Sequence, residues 1–118
     1  MTDIINENAN GGGQNGQDGA KLLSTIGLCA RAGKLIVGTP MVCEALRKAG
    51  TVICVLEASD TSDNTHKKLT DKCAFYRVPC RRLEAGGAVL GHAVGKTGAV
   101  AAVAVTDKSL YGALEKYL

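Results

Sequence analysis

The fold is decided by residues 31–57, RAGKLIVGTPMVCEALRKAGTVICVLE, where a strand, a helix and a second strand follow one another closely. The apolar run Leu35–Val37 predicts the first strand. Gly38, Thr39 and Pro40 then predict a helix start, with Thr39 as the cap and Pro40 at the first helical position. Strand and helix patterns in such close succession are typical of an α/β domain.

The predicted helix has one apolar face and is followed by a buried strand. Gly50 marks its end. Residues 51–57 are almost continuously apolar, which is typical of a central strand covered on both faces. The residues that recur at helical spacing and predict the buried face of the helix are Val42, Ala45, Leu46 and Ala49.

Outward from this unit, helical and extended patterns keep alternating, and no internal repeat is present. Further helices are predicted over about 21–32, 65–75 and 88–94, and Asp107 is predicted to cap a last one. Further strands are predicted over 78–83 and 99–105. We therefore predict an α/β fold, a three-layer α-β-α sandwich around a four-stranded mixed sheet. Aromatic residues predicted to pack on the core or on helix ends are Phe75, Tyr76, Tyr111 and Tyr117.

The first 19 residues differ in composition from the rest of the chain. They are rich in Gly, Asn and Gln and offer few side chains that can pack, so we predict a disordered leader over 1–19 and a single domain over 20–118. Three of the 11 carboxylates lie in this leader, which holds no Lys or Arg, so the domain carries 14 basic and eight acidic side chains, a net +6. Such a surplus suits a phosphate-binding surface, although it also serves solubility.

Composition and motifs argue against several other classes of protein. The longest apolar run, 99–105, is far shorter than the roughly 20 residues that cross a bilayer, so we expect no membrane partner and a cytoplasmic location. The five cysteines form no CxxC pair and predict reduced core residues rather than a metal site. The GKT at 95–97 has Leu90 where a phosphate loop needs glycine, and GGAVLG at 86–91 has Ala88 where a dinucleotide loop needs glycine.

We therefore expect no cofactor, no small-molecule substrate and no enzymatic activity. An enzyme in which a cysteine acts with His66 or His92 is the least supported alternative.

The best candidate site is the start of the second helix. Backbone N–H groups at a helix start attract anions, and Gly38 allows another backbone to approach closely. Arg31 and Lys34 add positive charge nearby in the sequence. Thr-Pro also begins many helices that bind nothing, so this pattern alone leaves both interpretations open.

Several blocks of the sequence, taken in order, resemble a known family. The blocks are RAGKLIVGTPMVCEAL, VICVLEAS, NTHKKLTDKC, LGHAVGK and AVAAVAVTD. Together they resemble the kink-turn-binding ribosomal-protein superfamily of the L7Ae and L30e type, most closely its small bacterial YlxQ branch. The resemblance spans about residues 21–118 and implies the α-β-α sandwich predicted above.

The resemblance also implies an RNA site formed by the start of the second helix and by the loop before the last strand. The corresponding positions are Gly33, Lys34, Gly38, Thr39, Pro40, Met41 and Glu44 on one side and Gly95, Lys96, Thr97 and Gly98 on the other, with Arg31 added from its charge. Archaeal members place Asn and Glu on the sheared base pairs of the RNA kink and a Lys one turn later, where this chain has Pro40, Met41 and Glu44. Pro40 has no polar side-chain group, and Met41 does not accept from a guanine edge. Glu44 has the wrong charge for a phosphate and is predicted to pair with Lys48 instead.

The sequence therefore predicts a non-enzymatic protein that binds structured RNA, ribosomal or otherwise translation-related, through backbone and shape. Association with the ribosome is one form that this binding is expected to take. Either Arg81 or Arg82 is predicted to face the RNA, since adjacent residues of a strand point to opposite faces. The alternative is a protein interaction module on the same fold, in which Met41 is an exposed apolar contact for a protein partner.

Overall fold

A computed structural model describes residues 16–118 of the protein. This part of the chain contains five helices and four strands, in the predicted order. They are α1 (Gly16–Arg31), β1 (Leu35–Val37), α2 (Thr39–Leu46), β2 (Cys54–Glu57), α3 (Asp63–Tyr76), β3 (Cys80–Arg82), α4 (Gly87–Ala93), β4 (Ala102–Val105) and α5 (Lys108–Glu115). Within residues 16–118, no helix combines the length and the apolar character that a membrane crossing requires.

The four strands form one mixed sheet in the order β1-β4-β2-β3. Strand β4 runs antiparallel to both of its neighbours, whereas β2 and β3 are parallel. All residues of β2 and β4 are buried, as predicted for strands covered on both faces. Successive side chains alternate between faces, so Leu56 packs toward α1, α4 and α5 while Val55 packs toward α2 and α3. The predicted α-β-α sandwich around a four-stranded mixed sheet is confirmed.

Two boundaries and one aromatic residue differ from the predictions. Helix α1 begins at Gly16, so residues 16–19 are helical, and the rest of the predicted leader lies outside the described residues. Helix α2 ends at Leu46 rather than at Gly50, because i→i−3 hydrogen bonds tighten the chain into turns after it, and Ala49 is exposed. Phe75 was predicted to pack but is 78% exposed.

The sheet brings three helix starts to one end of the molecule. Strands β2 and β3 are parallel and end side by side, with Glu57 opposite Arg82. Glu57 also lies opposite Ala102, the first residue of β4, and the Ala102 carbonyl accepts a hydrogen bond from the N–H of Gly38 at 2.9 Å. The end of β1, the end of β2 and the start of β4 therefore meet, and α2, α3 and α4 all begin at this end of the sandwich.

Candidate functional site

The start of α2 has an unusual backbone at Gly38. This residue has φ 98° and ψ 141°, a conformation that favours glycine, and it occupies the cap position that the sequence had assigned to Thr39. Pairing with Ala102 keeps the chain extended through Gly38, so Thr39 is already helical and Gly38 takes the cap position. The first helical hydrogen bond runs from the N–H of Val42 to the carbonyl of Gly38 at 2.9 Å.

The starts of α3, α4 and α5 each have a side-chain cap, whereas the start of α2 has none. In α3, α4 and α5 a side-chain oxygen accepts a hydrogen bond from an N–H of the first turn, at 3.3, 2.8 and 3.0 Å respectively. In α2 the N–H groups of Thr39 and Met41 have no hydrogen-bond partner within the described residues, and Pro40 between them has no N–H. Two backbone donors at a positive helix end are therefore available to an anion. The side-chain acceptors of the other helices are Ser62, Asp60 and Asp107.

The loop between α4 and β4 is held by backbone contacts that depend on glycines. Helix α4 ends at Ala93 and Gly95 follows its cap with φ 81°, so that the N–H of Lys96 donates to the carbonyl of Gly91 at 2.9 Å. The loop then folds back along α4, so a Cβ on Gly91 would collide with the carbonyl oxygen of Gly98. This arrangement leaves residues 95–98 exposed.

Both elements lead to the start of β4, because Gly38 pairs with Ala102 and residues 95–98 precede Ala102 in the chain. Residues 38–41 and 95–98 together are here named the α2–loop surface. Met41 is 59% exposed and Pro40 is also exposed. Glu44, one turn further along α2, pairs with Arg47 at 3.5 Å rather than with the expected Lys48. Both side chains of that pair are well exposed, so Glu44 leaves the α2 start open.

The structure brings only some of the predicted cations to this surface. The carbonyl of Lys34 accepts from the backbone N–H and the hydroxyl of Thr106, at 3.1 and 3.0 Å, at the far end of β4. At about 3.3 Å per residue, the four steps of extended chain from Lys34 to Gly38 span about 13 Å, and Gly33 lies beyond Lys34. Arg31 is better placed, because it lines a groove of about 260 Å³ together with Gly95.

Arg81 and Arg82 point to opposite sides, as expected for adjacent strand residues. Arg82 lies at the end of the sandwich where α2, α3 and α4 begin, and its Nη2 donates to the carbonyl of Ser59 at 2.9 Å. Arg81 lies toward Tyr111 of α5. Burial raises the pKa of Tyr111, and the nearby Arg81 opposes that shift. Of the two arginines, Arg82 is the one at the same end as the α2–loop surface.

A partly buried pair that the sequence did not predict joins α3 to this end of the sheet. Glu57 is only 1% exposed, and its carboxylate oxygens lie 2.9 and 2.8 Å from Nδ1 of His66. The one available signal was a charged residue at the end of an apolar strand pattern. Because Nδ1 of His66 contacts this carboxylate, that nitrogen is not paired with a cysteine thiol.

The thiols are mostly core groups. Cys29, Cys54 and Cys73 are buried, while Cys43 and Cys80 are half-buried. Burial raises the pKa of Cys29, and raises that of Cys54 to about 12, so both stay protonated near neutral pH. A hydrogen bond from Cys73 lowers the pKa of Cys80 and raises that of Cys73. Among the described residues, no three His, Cys, Asp or Glu side chains are grouped so that they could hold a metal ion.

Comparisons with known proteins agree with this architecture. Residues 20–114 match the model of the ribosomal protein L7Ae/L30e/S12e/Gadd45 family. The chain is 42% identical over 90 residues to the RNA-binding protein YlxQ of Bacillus subtilis, covering 76% of this chain and 87% of that one. It is 44% identical over 63 residues to the RNA-binding protein YlxQ of Enterococcus faecium, covering 53% of this chain and 60% of that one.

Solved structures show the same fold. A protein of unknown function from Bacillus halodurans superposes with a TM-score of 0.76 at 36% identity, covering 83% of this chain and 96% of that one. The 15.5kD RNA binding protein of Giardia lamblia superposes with a TM-score of 0.67 at 19% identity, covering 87% and 86%. The second likeness concerns the fold alone.

Proposed function

Because this chain belongs to the ribosomal protein L7Ae/L30e/S12e/Gadd45 family, we propose that it is a non-enzymatic RNA-binding protein that holds a structured RNA at the α2–loop surface. Two relatives named as RNA-binding proteins, at 42% and 44% identity, support the RNA as partner. The RNA is ribosomal or otherwise translation-related, and the protein acts in the cytoplasm. Family membership also agrees with the resemblance found in the sequence.

The observation that carries the proposal is the uncapped start of α2. The N–H groups of Thr39 and Met41 have no partner within residues 16–118, and the helix dipole adds about half a positive charge at this end. A phosphate of the RNA backbone supplies the missing acceptors. Lys96 and Arg31 belong to the adjacent loop and groove and contribute mobile positive charge.

Recognition on this surface uses backbone and shape more than base edges. Pro40 offers no donor, and the thioether of Met41 is a weak acceptor, so neither side chain pairs with a guanine edge. A good bidentate base contact gives about 1–3 kcal/mol of discrimination, so a chain without two of them distinguishes kink-turns weakly from other folded RNAs. The loop at Thr97 and Gly98, which are both exposed, packs against an extruded base.

A binding titration tests the proposal. Fluorescence anisotropy with a labelled kink-turn RNA and a plain RNA duplex, each at two salt concentrations, is expected to give saturable binding. Its logarithmic salt slope is expected to be about −0.7 to −0.9 for each phosphate contacted. Lys96→Gln is expected to lower the magnitude of this slope by about one, whereas Lys108→Gln, at the start of α5, leaves it unchanged. The absence of saturable binding to either RNA would refute the proposal.

A protein partner is the second candidate function, and one observation favours it. The groove between α1 and α4 measures about 500 Å³ and is bordered by two exposed apolar side chains, Leu28 and Val89, at 54% and 48% exposure. Exposed apolar surface of this kind serves protein contacts. Affinity capture with and without ribonuclease separates the candidates, because partners that survive the nuclease favour the protein module.

A further inference from the structure

Helix α3 presents an aromatic ring to solvent at its carboxyl end. Phe75 is 78% exposed, the largest exposed fraction of any large apolar side chain in the described part of the chain. Its ring packs edge-on against Tyr76, with ring centroids 4.9 Å apart and planes at 87°. Tyr76 is itself packed against the core between the sheet and α2. The Phe75 ring is therefore exposed and held in place, as a stacking platform requires.

Two lysines share the outer face of α3 with this ring. Lys68, Lys72 and Phe75 are spaced i, i+4 and i+7, so they follow one another along a single helix face. Neither lysine forms an ion pair with any other described residue. By contrast, Nζ of Lys67, on the adjacent face, donates a hydrogen bond to the Asp71 carboxylate at 2.9 Å. The ring thus lies at the end of a row of uncompensated positive charge.

A third cation follows the ring directly. Arg77 ends α3 with φ 59° and ψ 44°, a left-handed conformation in which glycine is preferred. A charged side chain therefore stands where the backbone favours glycine. Within residues 16–118, Arg77 also forms no ion pair.

We propose that Phe75, Lys68, Lys72 and Arg77 bind a single-stranded segment of RNA, with a base stacked on Phe75 and phosphates held by the three cations. This inference rests on the proposed function. Three cations without ion-pair partners, together with an exposed ring, match a polyanion that carries flat bases, whereas Phe75 is the only exposed large apolar side chain that α3 offers to a protein. Phe75 lies twelve residues, or about 18 Å along the helix axis, from the start of α3, which is at the end of the molecule where α2 also begins. The segment is therefore an extension of the RNA held at the α2–loop surface.

Two RNAs that differ by one feature test this contact. One is a kink-turn RNA, and the other is the same RNA with a single-stranded tail of about a dozen uridines. Phe75→Ala is expected to weaken binding of the tailed RNA roughly 5- to 150-fold and to leave binding of the untailed RNA unchanged. Lys68→Gln and Lys72→Gln are each expected to lower the magnitude of the salt slope for the tailed RNA by about one. Lys67→Gln is the matched control, and it is expected to change neither the affinity for the tailed RNA nor its salt slope.

The chain contains no Trp, so Phe75→Trp places a single indole on the platform. Its fluorescence is expected to be quenched by the tailed RNA and not by the untailed one. Equal binding of the two RNAs by the wild type, together with an unquenched indole, would overturn the second contact and leave the proposed function standing. Failure of the wild type to bind either RNA would refute the proposed function and this contact with it. A protein partner that depends on Phe75 in the absence of RNA would also overturn the inference.

Discussion

Replacing Gly38 with alanine tests the backbone on which the site is built. With φ 98° and ψ 141°, Gly38 lies in a region that side-chain-bearing residues rarely adopt. No heavy atom lies within 4 Å of the Cβ that alanine would add, so the cost comes from the backbone and not from a collision. Such strain costs about 1–3 kcal/mol. To relieve it the chain would have to rotate away from Ala102 and shift the first turn of α2.

The same substitution at Gly112 provides the matched control. Gly112 lies inside α5 in an ordinary conformation, with open space around the Cβ that alanine would add. Gly112→Ala is therefore expected to stabilise the protein by about 0.5–1 kcal/mol. The two alanine variants should therefore change stability in opposite directions.

Urea unfolding followed by far-ultraviolet circular dichroism measures both free energies, and thermal unfolding adds a shift of about 4–8 °C per kcal/mol for a domain of this size. An unfolding free energy for Gly38→Ala equal to or above that of the wild type would refute the claim that position 38 has a backbone conformation that strains other residues. At a temperature where the variant is folded, its RNA affinity is also expected to fall, because the amides of the α2 start have moved.

Three further substitutions have defined outcomes. Glu44→Lys removes an exposed carboxylate beside the α2 start, so it should tighten RNA binding at low salt and steepen the salt slope by about one; unchanged anisotropy curves would contradict this. Gly91→Ala places a methyl group against the carbonyl of Gly98, and is expected to cost about 1–3 kcal/mol in urea unfolding and to weaken RNA binding by displacing the loop; wild-type affinity would count against the role of the loop. His66→Ala leaves the carboxylate of Glu57 buried without its partner, which should lower the unfolding free energy by about 1–3 kcal/mol; an unchanged urea midpoint would mean that the pair contributes nothing.

The sequence predicts the fold well because the hydrophobic pattern indicates helices and strands along the whole domain. Residues 51–57 and 99–105 are apolar at nearly every position, which leaves little choice except central strands. Gly50 was a weaker guide, since the helix before it ends in tight turns at Leu46. The cap of α2 was misplaced by one residue because Thr39 and Gly38 are both acceptable caps, and only pairing with the neighbouring strand decides between them.

Positions that depend on distances between elements were harder to predict. Lys34 is only four residues from Gly38, but the two residues lie at opposite ends of the extended strand β1. Closeness in sequence therefore did not mean closeness in the site. Phe75 and Tyr76 are neighbours on a helix, and only one of them can face the core. Tyr76 takes that place. The pairing of Glu57 with His66 joins a strand to a helix, and no local pattern in the sequence indicates it.

Two-dimensional ¹H–¹⁵N NMR during titration with a kink-turn RNA examines the α2 start at the level of individual amides. If these N–H groups hold a phosphate, the amide signals of Thr39 and Met41 should move most, accompanied by those of residues 95–98, and the shifts should shrink as salt is added. RNA binding that leaves both signals in place, with the largest shifts elsewhere on the molecule, would contradict the account.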